Sequence, residues 1–227
     1  MLFLIVSQLF TILIFIPLPF NKKNRQKIYQ SLFKWFARFF TNTNFNINKN
    51  IENPYNESFV DPCIIICNRQ SVFDIFLLLS VVKKHVIISG SWFKNSPFYF
   101  LLKRYVECYM ITDNIEENIE YITKKISEGY FVVFYPESAK VVFDKVLRFH
   151  KGCFYYSEKT NVEIIPIIFK ATKDVVLTKW FFLKHGKAIM KIGKRIKHDD
   201  DKRNCGYSEM SKIINAEYRD EFNSIVI

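Results

Sequence analysis

The sequence has little that could hold a fold together covalently or through a metal ion. Its five cysteines are scattered, and no pair of them has the spacing of a zinc knuckle or a redox site. The two that lie nearest each other, Cys63 and Cys67, flank an apolar, strand-like run, and nothing indicates a disulfide framework. We therefore interpret the cysteines as small hydrophobic side chains of a protein in a reducing compartment.

The sequence also lacks a concentrated basic segment, although it is strongly basic overall. Lysine and arginine total 33 against 22 acidic residues, which gives a net charge of +11. These cations are dispersed from residue 22 onward, and no basic run is interleaved with aromatic residues, so the pattern disfavours a nucleic-acid partner. Dispersed positive charge instead favours anionic partners such as membrane phospholipid or a phosphorylated substrate.

The first 20 residues, "MLFLIVSQLFTILIFIPLPF", contain no charged side chain. About 20 apolar residues suffice to cross the ~30 Å hydrocarbon core of a bilayer. Four basic residues follow between positions 22 and 27, which the positive-inside tendency places in the cytoplasm. A cleaved signal peptide is disfavoured because no basic region precedes the apolar stretch and no small-residue cleavage site follows it. We predict a spanning or re-entrant membrane anchor; a buried core helix, shortened by Pro17 and Pro19, is the alternative.

The next segment, "IYQSLFKWFARFF", has the spacing of an amphipathic helix. Its apolar residues Ile28, Leu32, Phe36 and then Phe39 or Phe40 recur every three or four positions. Basic and aromatic residues together are typical of a helix that lies in the headgroup layer, but the same pattern suits a helix packed on the domain itself. We predict residues 1–40 as a membrane anchor with an interfacial amphipathic helix, and residues 41–227 as a single domain.

Within that domain, predicted strands and helices alternate, which indicates an α/β fold with a mostly parallel sheet flanked by helices. The run at 130–135, "YFVVFY", is apolar throughout, as expected of a strand covered on both faces. Pro166 interrupts the run at 162–169 and predicts a bulge or an edge position there. Further strands are predicted at 63–67, 85–89, 108–112 and 187–193 with a short edge strand before them, and helices at 72–82, 97–105, 116–128 and 207–223.

Four blocks of sequence follow one another in this domain. The first, "NRQSVFD", occupies residues 68–74, and the second, "FKNSPF" at 93–98, continues to "MITD" at 110–113. The third is "YPESAK" at 135–140, followed by "FHKG" at 149–152, and the fourth is "IIPII" at 164–168. In order and spacing these blocks resemble those of the glycerolipid acyltransferases, the family of the 1-acylglycerol-3-phosphate (lysophosphatidic acid) acyltransferases. The resemblance covers most of residues 28–225.

The resemblance implies transfer of a fatty acyl group from acyl-CoA to the free hydroxyl of a lysophospholipid, in particular 1-acylglycerol-3-phosphate, which gives phosphatidic acid. It implies acyl-CoA as co-substrate with no metal and no further cofactor. It also implies a membrane location in the endoplasmic reticulum, with the catalytic domain on the cytoplasmic side. By position in the blocks, the implied catalytic residues are Arg69 and Asp74, and the implied substrate- or phosphate-binding residues are Asn68, Lys94, Glu137, Ser138, Lys140 and Gly152.

The first block departs from the family pattern at its central position. The family has His where this chain has Arg69. An alcohol needs a base to take its proton, and imidazole suits this task because its pKa lies near neutral pH. Guanidinium has no acceptor lone pair and cannot replace it. An Arg69–Asp74 ion pair is therefore the first structural expectation.

Two interpretations of this departure stay open. Either another residue accepts the proton, with Asp74 and His150 as the candidates, or the chain is a catalytically degenerate protein that keeps the fold to bind lipid or a protein partner. The third block departs as well, with Ser138, Ala139 and Lys140 in place of the family's Gly, Thr and Arg.

Overall fold

The computed structural model describes residues 47–70, 73–82, 84–89, 107–137, 144–176 and 185–227, together with eight positions between 28 and 41. These residues form one sheet of seven strands in the order β1-β7-β6-β2-β5-β3-β4. Neighbouring strands run parallel, except for the antiparallel pair β6–β7. The strands are β1 Ile47–Glu52, β2 Ile64–Cys67, β3 His85–Ser89, β4 Glu107–Met110, β5 Phe131–Phe134, β6 Ile164–Ala171 and β7 Gly186–Ile192.

Helices cover both faces of this sheet, which confirms the predicted α/β class. The helix at Ile115–Ser127, α2, has clear signals at both ends: the Asn114 side chain accepts hydrogen bonds from the N–H groups of Glu116 and Glu117, and Gly129 follows its end with φ +83°. The helices are α1 Phe73–Val81, α2 Ile115–Ser127, α3 Gly152–Thr160, α4 Lys173–Val176 and α5 Gly206–Ser224, with a 3-10 turn at Asp201–Arg203.

Alternation along the central strands divides the core into two layers. One face of β2 packs Ile65 against α1, while the other face packs Ile64 and Ile66 against the layer that contains α2, α3 and α5. The apolar run of β5 is buried along its whole length, as its sequence predicts. Each face of the sheet therefore has its own helical layer.

Pro166 lies in the interior of the sheet, and the prediction of an edge position is wrong. Its strand, β6, is paired with both β2 and β7. The Pro166 carbonyl accepts the Gly193 N–H at 2.8 Å, one residue beyond the end of β7. Proline has no N–H to donate, and Pro166 lies where the hydrogen-bonded pairing with β7 ends, so the sheet loses no internal hydrogen bond there. Gly193 is needed there, since a Cβ atom would lie 2.8 Å from the proline ring.

The described positions between 28 and 41 are helical and contact the domain. Ala37 and Thr41 are buried, and the Arg38 Nε–H donates to the Ser80 carbonyl of α1 at 3.1 Å. Trp35 is 57% exposed and stacks on Phe39. One side of this segment thus packs on the domain, as one of the two interpretations expects, and the interfacial role stays a prediction.

The uncharged segment at residues 1–20 lies outside the described residues, as does the predicted helix at 97–105. Of the helices that the structure describes, none combines the length and the apolar character needed to span a bilayer. The five cysteines are free thiols. Cys63, Cys67 and Cys153 are buried as predicted, whereas Cys205 is exposed.

Candidate active site

The first and third sequence blocks meet at one edge of the sheet. They directly follow β2 and β5, which are adjacent and parallel, so their carboxyl ends lie side by side. The chain leaves β2 into α1 on one face of the sheet, and after β5 it continues to α3 on the other face. In open α/β sheets such a divergence leaves a crevice where ligands bind.

Asn68 begins the first block and is fully buried. Its side-chain amide donates to the Phe169 carbonyl at 2.8 Å and accepts from the Phe169 N–H at 2.7 Å, while its backbone N–H donates to the Tyr218 hydroxyl at 2.8 Å. The Tyr218 hydroxyl also lies within hydrogen-bond distance of Asn68 Oδ1 and of the Ile167 carbonyl. These contacts join β2, β6 and α5, and they favour a structural role for Asn68 over the predicted contact with substrate.

Arg69 and Asp74 lie together at the start of α1. Asp74 is 2% exposed, and its Oδ2 accepts the Gln70 backbone N–H at 2.7 Å, which holds the carboxylate beside the residue-69 backbone. Burial lowers the pKa of the Arg69 guanidinium, against the opposing effect of the nearby Asp74 carboxylate. The expected proximity of Arg69 and Asp74 is thus present, and a direct ion pair between them stays a prediction.

Glu137 of the third block is a buried carboxylic acid, with 8% of its surface exposed. Its Oε1 accepts the Leu147 N–H at 2.9 Å, and the carboxylate also accepts the Arg69 backbone N–H. Burial raises the pKa of Glu137 to about 7, against the opposing effect of these two hydrogen bonds and of the Arg219 charge. Glu137 therefore joins the first block to the segment that follows the third, and it titrates near neutral pH.

This raised pKa makes the stability of the protein depend on pH. Below about pH 4.5 both the folded and the unfolded state hold the Glu137 proton; between about 4.5 and 7 only the folded state does. The contribution of Glu137 to the free energy of unfolding therefore falls by about 3 kcal/mol as pH rises through this window, and stays constant above it. We expect Glu137→Gln to remove this fall relative to wild type in denaturant unfolding series at several pH values. Glu120→Gln, at an exposed position of α2, is the matched control; parallel curves for wild type and Glu137→Gln would contradict the assignment.

Two polar side chains at this edge were not singled out from the sequence. Gln70 is 1% exposed, and neither atom of its side-chain amide has a hydrogen-bond partner in the part of the chain that the structure describes. The Tyr135 hydroxyl lies beside the Cys67 thiol and bonds to no described nitrogen or oxygen atom. Burial raises the pKa of Tyr135, so its hydroxyl stays neutral. The sequence could have indicated Tyr135, because the family pattern has Phe at this position and the tyrosine adds a hydroxyl. Nothing in the sequence distinguished Gln70.

Of the other predicted site residues, the structure describes His150 and Gly152, and neither joins this cluster. Lys94, Ser138 and Lys140 lie outside the described residues. His150 is exposed, and its backbone N–H donates to the Pro136 carbonyl at 2.8 Å. Its ring makes no hydrogen bond to any residue described. No contact with Asp74 therefore supports His150 as the alternative base. Gly152 is exposed at the first position of α3, and a Cβ atom there would meet nothing within 4 Å, so packing does not require glycine.

Comparison with known proteins gives consistent results. The acyltransferase family model matches residues 43–170. The 1-acyl-sn-glycerol-3-phosphate acyltransferase beta of Homo sapiens is 22% identical over 174 residues, which are 71% of this chain and 60% of the human protein. A chloroplastic 1-acyl-sn-glycerol-3-phosphate acyltransferase of Brassica napus is 28% identical over 145 residues, or 60% of this chain and 41% of that protein. The matched part thus spans less than two thirds of either relative.

The fold is also that of a solved structure. The crystal structure of the 1-acyl-sn-glycerophosphate (LPA) acyltransferase PlsC from Thermotoga maritima superposes with a TM-score of 0.66 at 19% identity, over 98% of this chain and 90% of that one. The family match includes the first and third blocks, which the structure brings together at the ends of β2 and β5. On the sequence match and the fold together, this chain belongs to the acyltransferase family.

Proposed function

We propose that this protein transfers a fatty acyl group from acyl-CoA to the free hydroxyl of 1-acylglycerol-3-phosphate, forming phosphatidic acid. The observation that carries the proposal is the convergence of Asp74, Glu137 and Arg69 at the carboxyl ends of β2 and β5. Membership of the acyltransferase family and the names of its relatives support the reaction class and the acceptor.

In this reaction the acceptor hydroxyl oxygen attacks the thioester carbonyl carbon; the new C–O bond forms and the C–S bond breaks. The hydroxyl proton passes to a protein base and then to the departing thiolate. Arg69 has no lone pair with which to accept it. Two buried carboxylates are left as candidates: Asp74, which the Gln70 N–H holds in place, and Glu137, whose pKa of about 7 suits proton transfer at neutral pH.

Arg69 supplies a fixed positive charge at the same edge of the sheet. A guanidinium there stabilises either the phosphate of the acceptor or the negative charge that develops on the carbonyl oxygen. The family's His is positively charged only when it is protonated. In this proposal Arg69 carries that positive charge permanently, and a separate carboxylate acts as the base. The arrangement accounts for the retention of Asp74 and Glu137 beside Arg69.

The acyl-CoA donor and the membrane location belong to the same proposal. A lysophospholipid acceptor resides in a membrane, and the uncharged stretch at residues 1–20 and the exposed Trp35 would both place the domain near it. Deletion of residues 1–20 should move the protein toward the soluble fraction after cell lysis, and an unchanged distribution would count against an essential anchor there.

Turnover of the purified full-length chain tests the proposal. With radiolabelled acyl-CoA and 1-acylglycerol-3-phosphate we expect wild type to form phosphatidic acid, and Asp74→Asn to lower the rate at least ~10²-fold. The matched control is Asp220→Asn, which alters an exposed aspartate of α5 and should leave the rate unchanged. A wild type that binds the lysolipid saturably but shows no turnover would reject the enzyme and support the degenerate lipid-binding protein.

A further inference from the structure

A second concave site lies beside the candidate active site, between residues 148–151 and the α5 helix. Its volume is about 330 Å³. Four of its lining residues are cationic, and none of them is acidic: the cations are Arg148, Lys151, Lys212 and Arg219. No sequence block assigned a role to this combination, since its members come from two segments about 60 residues apart.

Among the residues that the structure describes, most of these cations form no salt bridge. Lys212 pairs with the exposed Glu209 at 2.7 Å. No carboxylate of the described residues pairs with Arg148, Lys151 or Arg219. Like charges held around one cavity repel one another, and an anion within it would relieve that repulsion.

The walls of this pocket are fixed by hydrogen bonds. The Arg219 Nε–H donates to the Val146 carbonyl at 3.1 Å, which leaves the other guanidinium N–H groups for a ligand. Asn215, itself buried, donates from Nδ2 to the Leu147 carbonyl at 3.0 Å. Since the Leu147 N–H is the donor to Glu137, one backbone segment forms a wall of the pocket and also holds the candidate catalytic carboxylate.

We propose that this pocket is a phosphate-binding site, occupied by a phosphate group of the acyl donor's nucleotide or of a lipid headgroup. Arginine and lysine together suit phosphate, the former through its planar fork and the latter as a point charge. A volume of about 330 Å³ is at the small end for ligand pockets, ~300–1,000 Å³, so it suits a phosphate and a few attached atoms better than a whole substrate. The assignment of the bound phosphate to a substrate rests on the proposed function. The binding of a phosphate group in this pocket does not depend on it.

Binding measurements at low salt on the full-length chain test this proposal. The pocket variant is Arg148→Gln/Lys151→Gln, and the matched control Lys173→Gln/Lys187→Gln removes the same charge from exposed positions outside the pocket. One arm titrates free coenzyme A by calorimetry. The other measures sedimentation with phosphatidylcholine vesicles that do or do not contain phosphatidic acid.

We expect the pocket variant to weaken binding about 10- to 100-fold in at least one arm, because the phosphate loses charge-assisted hydrogen bonds to two cationic side chains. Loss confined to coenzyme A assigns the pocket to the donor nucleotide, and loss confined to phosphatidic acid vesicles assigns it to a lipid headgroup. Equal binding by the pocket variant and the control in both arms would overturn the proposal, provided that circular dichroism shows both variants folded. Turnover is measured separately. If wild type shows no turnover but binds, and the pocket variant binds more weakly, the proposed function is rejected while the phosphate site is supported.

Discussion

Replacing Arg69 with His is expected to accelerate acyl transfer by roughly tenfold over wild type, because an imidazole with a pKa near neutral pH takes over from a buried carboxylate as the general base. The guanidinium cannot accept the hydroxyl proton, whereas an imidazole at this position can. The Asp74 carboxylate already lies next to the residue-69 backbone, where it accepts the Gln70 N–H at 2.7 Å. It is therefore placed to orient an imidazole as the third member of a nucleophile–base–carboxylate arrangement.

Two further variants separate this effect from the mere loss of a buried positive charge. Arg69→Gln removes the charge and adds no base, so it should not accelerate the reaction. Arg69→His combined with Asp74→Asn should lose most of the gain, because the imidazole is then no longer oriented by a carboxylate. Initial rates at saturating acyl-CoA provide the comparison, and an Arg69→His protein no faster than Arg69→Gln would refute the expectation.

Asn68→Ala is expected to lower the free energy of unfolding by about 3 kcal/mol, since each buried polar group left without a partner costs ~1–3 kcal/mol. The substitution leaves the N–H and the carbonyl of Phe169 without their hydrogen-bond partner, the Asn68 side-chain amide. The Tyr218 hydroxyl loses its contact with Asn68 Oδ1 as well. Midpoints of urea unfolding, compared at equal slope, measure this change.

Two related substitutions test whether the loss comes from this network. Tyr218→Phe keeps the ring packed but leaves the Asn68 backbone N–H unpaired, so it should cost a smaller amount, about 1–3 kcal/mol. Asn223→Ala changes an exposed asparagine near the end of α5 and should leave stability within ~0.5 kcal/mol of wild type. A small cost for Asn68→Ala together with a large loss of activity would instead favour the substrate contact that the family resemblance implied for this residue.

Much of the fold and part of the candidate site follow from local patterns along the chain. Apolar runs with turn signals at their ends locate the strands, and spacing of three to four residues locates the helices, because side-chain direction repeats every 2 residues in a strand and every 3.6 in a helix. The first block predicts that Asp74 lies beside Arg69. The structure places Glu137 next to them because the carboxyl ends of adjacent parallel strands meet at one edge of the sheet.

What the sequence alone determined is therefore the family, the α/β class and the residue types gathered at that edge. Strand order, burial and contacts between distant segments were decided only by the tertiary structure. Pro166 is in the sheet interior because β7 ends beside it, and Asn68 is buried in a hydrogen-bond network because Tyr218, 150 residues away, packs onto it. The pKa of Glu137 rises because the folded domain excludes water from it. Local periodicity specifies which residues face one way along an element, whereas the packing of elements decides which of those faces meet and which polar groups lose their water.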